Sequence, residues 1–209
     1  MSLFLRLTLF SSLAVTLSAQ SGAGVESVEE LRNPLTGKSL RAIVTAREHL
    51  KSGQHERGME ELRQAMSDPL AMPYAISTLG GEHLKAGQLD TAVGELEQAV
   101  QLLPGPENHS NLAYAFYLKG QTERGLNEVR KALQLDGGRP KTRLVLGMLL
   151  LQQGSHEAEA IQQLQAAAEE SPSAHLVLAQ LYDQAGKAPE AEKERRAYSI
   201  TSMALLAAQ

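Results

Sequence analysis

Five glycines recur at a nearly constant interval in this chain. Gly53, Gly87, Gly120, Gly154 and Gly186 lie 34, 33, 34 and 32 residues apart. Each follows one apolar helical pattern and precedes another, in HLKSGQHERG, HLKAGQLDTA, YLKGQTERG, LLQQGSHEAEA and YDQAGKAPEA. The unit Leu79–Pro104 shows this most clearly, as two amphipathic stretches around a Gly87-Gln88 turn. A unit of this length cannot bury its own apolar face, so the copies have to stack into one continuous core. Glycine suits the turn because it accepts positive φ, and because a missing Cβ permits close helix crossing.

The positions around each glycine are chemically regular. Eight residues before it stand Thr45, Leu79, Leu112, Leu146 and Leu178, each followed by a small residue: Ala46, Gly80, Ala113, Gly147 and Ala179. Four before it stand His49, His83, Phe116, Leu150 and Tyr182. After it come small residues at Gly58, Ala92, Gly125, Ala160 and Ala191, with Ala160 displaced by one inserted residue. Leu62, Leu96, Val129 and Leu164 follow, then Ala65, Ala99, Ala132 and Ala167. Small residues let paired helices approach, and large ones fill the space to the next pair. Pro69, Pro104 and Pro172, with Gly137-Gly138 in the third unit, are read as the ends of second helices.

This small–large pattern resembles the tetratricopeptide repeat family over residues 39 to about 205. Leu79, Gly80, Ala92, Leu96, Ala99 and Pro104 stand at six of its eight signature positions. The resemblance implies an all-α, right-handed α-solenoid of about five helix-turn-helix units, at about 39–72, 73–105, 106–139, 140–171 and 172–209. The chain departs from the family in three places. Tryptophan is absent, histidine replaces the family's tyrosine in the first two units, and Arg195 and Tyr198 stand in the last unit where leucine and alanine stand elsewhere. The last stretch, Ala188 to Leu206, is expected to form a capping helix, or to dock on another subunit through Met203, Leu205 and Leu206.

Residues 1–20 have the parts of a secretory leader: Arg6, an apolar run from Leu7 to Leu17, and a small-residue exit. Cleavage after Ala19 places Leu17 at the third residue before the cut; cleavage after Ala23 places Ser21 there, which fits better. The run to Ala19 has 13 residues, against about 20 for a spanning helix. The expectation is a periplasmic or secreted protein, attached to a membrane only if this segment is retained. Residues 21–38 read as a linker or N-terminal extension, with Val25–Leu31 a short helical stretch before Asn33-Pro34, covering part of the first unit.

The formal charge of −4, without a run of Lys or Arg, provides no footprint for nucleic acid. The absence of cysteine excludes disulfides, thiolate zinc sites and a lipobox. His49 and His83 occupy equivalent places in neighbouring units, where about 10 Å of helix spacing argues for packing over a shared metal. His109-Ser110-Asn111 reads as a helix start and supplies no nucleophilic triad. No cofactor and no catalysis are expected. The resemblance implies a concave face built from the first helix of each pair. It carries Arg47, Lys51, Tyr74, Lys85, Tyr114, Tyr117, Lys141, Leu144 and Met148 as candidate partner-binding residues. Tyr114 and Tyr117 either line that groove or pack against the next helix. The family's asparagine–lysine clamp for a C-terminal carboxylate is not matched, so no chaperone tail is expected. The expected function is a non-catalytic scaffold that binds a protein or peptide; the alternative is a self-associating structural protein assembled through its last helix.

Overall fold

A computed structural model describes residues 37–136 and 138–207. The leader read over residues 1–20, and all of the linker except its last two residues, lie outside that range. The described residues form ten α-helices and no strand. They are α1 (Gly37–Lys51), α2 (His55–Ala65), α3 (Met72–Lys85), α4 (Leu89–Leu102), α5 (Pro106–Leu118), α6 (Thr122–Leu135), α7 (Pro140–Gln153), α8 (Glu157–Ala168), α9 (Pro172–Gln184) and α10 (Ala188–Ala207). Consecutive helices pair as five antiparallel hairpins, and each hairpin packs on its neighbours. None of these helices is long and apolar enough to cross a membrane. The all-α solenoid expected from the sequence is the observed fold.

The glycine turns are left-handed, with φ of 80°, 72°, 68°, 81° and 71° at Gly53, Gly87, Gly120, Gly154 and Gly186. Four close with the same pair of hydrogen bonds. At the first, the Gly53 amide donates to the Leu50 carbonyl at 3.2 Å and the Gln54 amide to the His49 carbonyl at 2.8 Å. This is the Schellman arrangement, and it satisfies the carbonyls that a helix end leaves open. The fourth turn differs, because Gly154 donates to Leu150 at 3.1 Å. Ser155 and His156 then lead into α8, so the inserted residue of that unit is absorbed in the turn.

Two expectations about small and cyclic residues need correction. A Cβ on any of the five turn glycines would meet nothing within 4 Å, so positive φ alone explains them. Close crossing is the work of other glycines. A Cβ on Gly58, Gly80, Gly125 or Gly147 would lie 2.7, 2.8, 2.6 or 2.6 Å from a leucine of a packed helix. Pro172 begins α9 instead of ending α8, and proline stands at the first or second position of α3, α5, α7 and α9. Its fixed φ suits a first turn, where the missing N–H has no partner to lose.

The core runs along the array as three apolar clusters. The first holds Ile43, Leu62, Tyr74 and Leu79, the second Val93, Leu96, Leu112 and Phe116, and the third Leu126, Leu144, Leu149, Leu164 and Leu178. Successive first helices of the hairpins also pack on one another, α5 against α7 most extensively, while successive second helices make at most glancing contacts. Closer first helices place α1, α3, α5, α7 and α9 on the inner side of the array's curve.

Candidate partner-binding surfaces

Of the nine expected groove residues, the inner face exposes Arg47, Lys51 and Lys85 and half-buries Lys141. Arg47 Nε reaches Thr78 Oγ1 at 3.4 Å, and Lys85 Nζ donates to Glu82 Oε1 at 2.6 Å. Lys141 Nζ donates to Asn111 Oδ1 at 2.8 Å. Burial pushes the Lys141 ammonium below its ordinary pKa; Glu107 opposes that shift and Lys85 adds to it. The three charged side chains from α3, α5 and α7 therefore share one electrostatic neighbourhood. A polar seam continues across the units: Ser77 Oγ donates to Asn108 Oδ1 at 2.5 Å, and Asn108 Nδ2 to the Leu103 carbonyl at 2.8 Å.

The other five expected groove residues are in the core. Tyr74, Tyr114, Tyr117, Leu144 and Met148 are all buried. Tyr114 and Tyr117 stack with centroids 6.1 Å apart and planes 14° apart. They join Leu144, Met148 and Leu149 in one cluster. The choice between groove and core is thus decided for core, because α7 closes over α5. Burial raises the hydroxyl pKa of both tyrosines, and Tyr114 raises that of Tyr117 further. Tyr117 Oη is buried with no hydrogen-bond partner among the described residues.

The histidines show what sequence reading missed. Eight residues after four of the five turn glycines stands a glutamate, Glu61, Glu95, Glu128 or Glu194, and each binds a histidine of its own hairpin. His49 and His83 reach Glu61 and Glu95 at 2.7 and 2.6 Å from the turn end of the first helix. His109 and His175 reach Glu128 and Glu194 at 2.7 and 2.6 Å from one helical span earlier. In the fourth unit Arg143 Nη1 donates to Gln163 Oε1 at 2.9 Å in the same place. His109 therefore lies inside α5, paired and buried, and does not cap it. The recurrent glutamate was visible in sequence; its partner was not, because the histidine switches position between units.

Burial raises the Glu128 carboxyl pKa, but hydrogen bonds from Lys131 and His109 outweigh it and hold the carboxyl below its usual value. A depressed carboxylate contributes stability above its unfolded pKa and loses it as pH falls. Glu128→Ala is expected to cost about 1–2 kcal/mol at neutral pH, since it strands His109 without its partner. The difference from the parent should shrink on acidification below about pH 4. Denaturant unfolding of the two proteins across pH measures both effects.

The outer face carries a cleft of about 700 Å³ between α4 and α6, floored by Val100, Leu112 and Phe116. The Arg124 guanidinium stands 4.1 Å over the Phe116 ring and pairs with Glu97 at 2.6 Å. Among the described residues no group of three or more metal-ligating side chains is assembled.

The tetratricopeptide repeat model matches residues 110–175 and again 144–202. A thermophilic TPR protein of Thermus thermophilus superposes with a TM-score of 0.65 at 18% identity, covering 79% of this chain and 99% of that one. MamA 41-end from Desulfovibrio magneticus RS-1 has a TM-score of 0.59 at 13% identity, over 81% of this chain and 98% of that one. A crystal structure of MamA has a TM-score of 0.56 at 16% identity, over 76% and 94%. No curated protein matches the chain in sequence. At such identities the structural likeness carries the fold alone. Five glycine-turned hairpins, a repeat model matched within residues 110–202 and these neighbours together show an α-solenoid fold with tetratricopeptide-like repeats.

Proposed function

We propose that this protein is a non-catalytic scaffold of the cell envelope whose inner face binds a protein or peptide. The observation that carries this reading is the set of cations on the first helices, Arg47 and Lys51 of α1, Lys85 of α3 and Lys141 of α7, on a face whose apolar residues are consumed by the core. Such a surface favours an acidic or polar segment, and charge complementarity contributes mainly to encounter rate and selectivity. Tyr114 and Tyr117 form the support behind it. Loss of binding in their alanine variants would report on folding as much as on recognition. The exposed cations are the sharper probe. Lys51→Glu with Lys85→Glu should abolish capture of envelope partners while the helical circular dichroism stays unchanged; full capture by the variant would refute the inner-face assignment. The leader in residues 1–20 supports a location outside the cytoplasm, and the intact mass of protein recovered from the cell envelope tests its removal.

A second reading, self-association, is favoured by one observation. Ile200, Met203 and Leu206 of α10 are 65%, 63% and 70% exposed. Only Ala191 of this 20-residue helix is buried. Arg195 stands where other units place a core leucine or valine, and it donates to Asp183 at 2.8 Å; among the described residues no hairpin follows α10. An apolar stripe of this kind commonly marks an interface. Light scattering is expected to show an oligomer that Met203→Asp with Leu206→Asp converts to a monomer. A monomeric parent at high concentration would rule this reading out.

A further inference from the structure

We propose that the outer cleft between α4 and α6 is a second docking surface, and that it takes an acidic amphipathic helix of another protein. It is separate from the inner face and does not depend on what that face binds. Second helices of neighbouring hairpins make at most glancing contacts. Between α4 and α6 the space left is the cleft of about 700 Å³ over Val100, Leu112 and Phe116.

The wall supplied by α6 singles this cleft out. At 4, 10 and 11 residues after its turn glycine, α6 carries Arg124, Arg130 and Lys131, and all three line the cleft. The equivalent positions hold no cation in α4 or α8, and one, Arg196, in α10. The carboxylates of the cleft are already engaged. Glu97 accepts from Arg124 Nη2 at 2.6 Å. Glu128 is bonded by His109 and by Lys131, each at 2.7 Å. Donors are left over. Arg124 Nη1 donates to Gln121 Oε1 at 2.9 Å, so the guanidinium is fixed 4.1 Å over the Phe116 ring, with 55% of the side chain still exposed. Arg130 is exposed and makes no hydrogen bond or ion pair among the described residues. A guanidinium fork matches a carboxylate, and an excess of free donors over free acceptors selects an anionic occupant. Arg124 is held before the partner arrives, so little side-chain freedom is lost on binding.

The apolar surface selects the rest of the occupant. The floor is apolar, and the two walls end in Leu102 and Leu135, the last residues of α4 and α6, which are 41% and 49% exposed. A furrow between two helices accepts the ridge of a third. The occupant therefore presents apolar anchors one helical turn apart, flanked by Glu or Asp. A second copy of the chain does not fit that description, because the exposed apolar end of α10, residues 197–207, has no acidic side chain.

The test is a selection from a displayed library of random peptides several helical turns long. The target is the full chain with Lys51→Glu and Lys85→Glu, which removes inner-face cations. Counter-selection uses the same protein with Asn127→Glu and Arg130→Glu added. Asn127 and Arg130 line the cleft, are exposed and have no internal partner among the described residues, so circular dichroism should not change. Surviving peptides should carry carboxylates beside apolar anchors. The most enriched one, synthesised, should bind the parent and lose affinity by about tenfold or more to Asn127→Glu with Arg130→Glu, and equally in its own Glu→Gln form. The chain has no cysteine, so a dye on Gln98→Cys, beside the cleft, should report this binding while a dye on Lys51→Cys stays silent. Survivors without carboxylates, or no survivors, would overturn the proposal. So would an affinity indifferent to Arg130, or a signal only from the dye at position 51.

Discussion

Gly147→Ala is expected to destabilise the array by about 2 kcal/mol, although alanine is the better helix former by about 1 kcal/mol. The reason is steric. A Cβ on Gly147 would stand 2.6 Å from Leu164 Cγ, 2.9 Å from its Cδ2 and 3.2 Å from the Ala160 carbonyl oxygen. Leu164 is fully buried, so it can give way only by displacing close-packed neighbours. Leu164→Ala removes the obstructing atoms and costs about 3 kcal/mol by itself, through lost burial and a cavity. The two substitutions should therefore couple, and the double variant should be more stable than the sum of the single effects by about 1 kcal/mol or more. Denaturant unfolding of the four proteins closes the cycle. Simple additivity would mean that the α7–α8 crossing can widen freely, and the account of close packing at Gly80, Gly125 and Gly147 would have to be abandoned.

Tyr117 offers the second large effect, and its two replacements should go in different directions. Tyr117→Ala opens a cavity beneath the inner face and is expected to cost about 4 kcal/mol. Tyr117→Phe removes only a buried hydroxyl that has no partner among the described residues, so it should be neutral or stabilise by up to about 1 kcal/mol. The hydroxyl also makes a prediction about pH. Its folded pKa is raised above the unfolded value by burial first and by Tyr114 second. An acid whose folded pKa is raised keeps its proton longer in the folded state. Its stabilising contribution is present below the unfolded pKa of about 10 and falls as pH rises above it. Alkaline unfolding should accordingly begin above about pH 10 and move upward in Tyr117→Phe. Absorbance titration of the phenolates, followed beside circular dichroism, should show ionisation and unfolding together. Ionisation without unfolding would mean that the ring is open to water.

The architecture was legible because its signals are local and repeated. Each turn glycine has a positive φ that only its own backbone dictates, and five copies at one period leave a single stacking solution. The spacing of Leu79, Gly80, Ala92 and Leu96 identified which faces meet, and all but Gly80 are core side chains while Gly80 lies against Leu96. The candidate site was much less legible. Tyr114 and Tyr117 are on the correct helix for a groove, but they lie on the flank that α7 covers. A helix exposes or hides positions three residues apart according to how its neighbour is rotated, and no single stretch of sequence encodes that rotation. The His–Glu pairs failed to show for a related reason. The glutamate keeps one register, while its histidine lies 12 residues away in the first two units and 19 in the third and fifth.

By itself the sequence determined the helical hairpins, their number, the left-handed turns between them, and the small residues where helices cross. These follow from backbone conformation and from a period of about 34 residues. Tertiary structure alone decided which side chains remain for a partner. It buried the tyrosines, left Arg47, Lys51 and Lys85 exposed beside the half-buried Lys141, paired the histidines inside the hairpins, and left Leu40 and Val44 uncovered at one end and Ile200 and Leu206 at the other. The physical reason is that exposure belongs to pairs of helices. It depends on whether a neighbour stacks against a face, and at the two ends of the array the described chain supplies none.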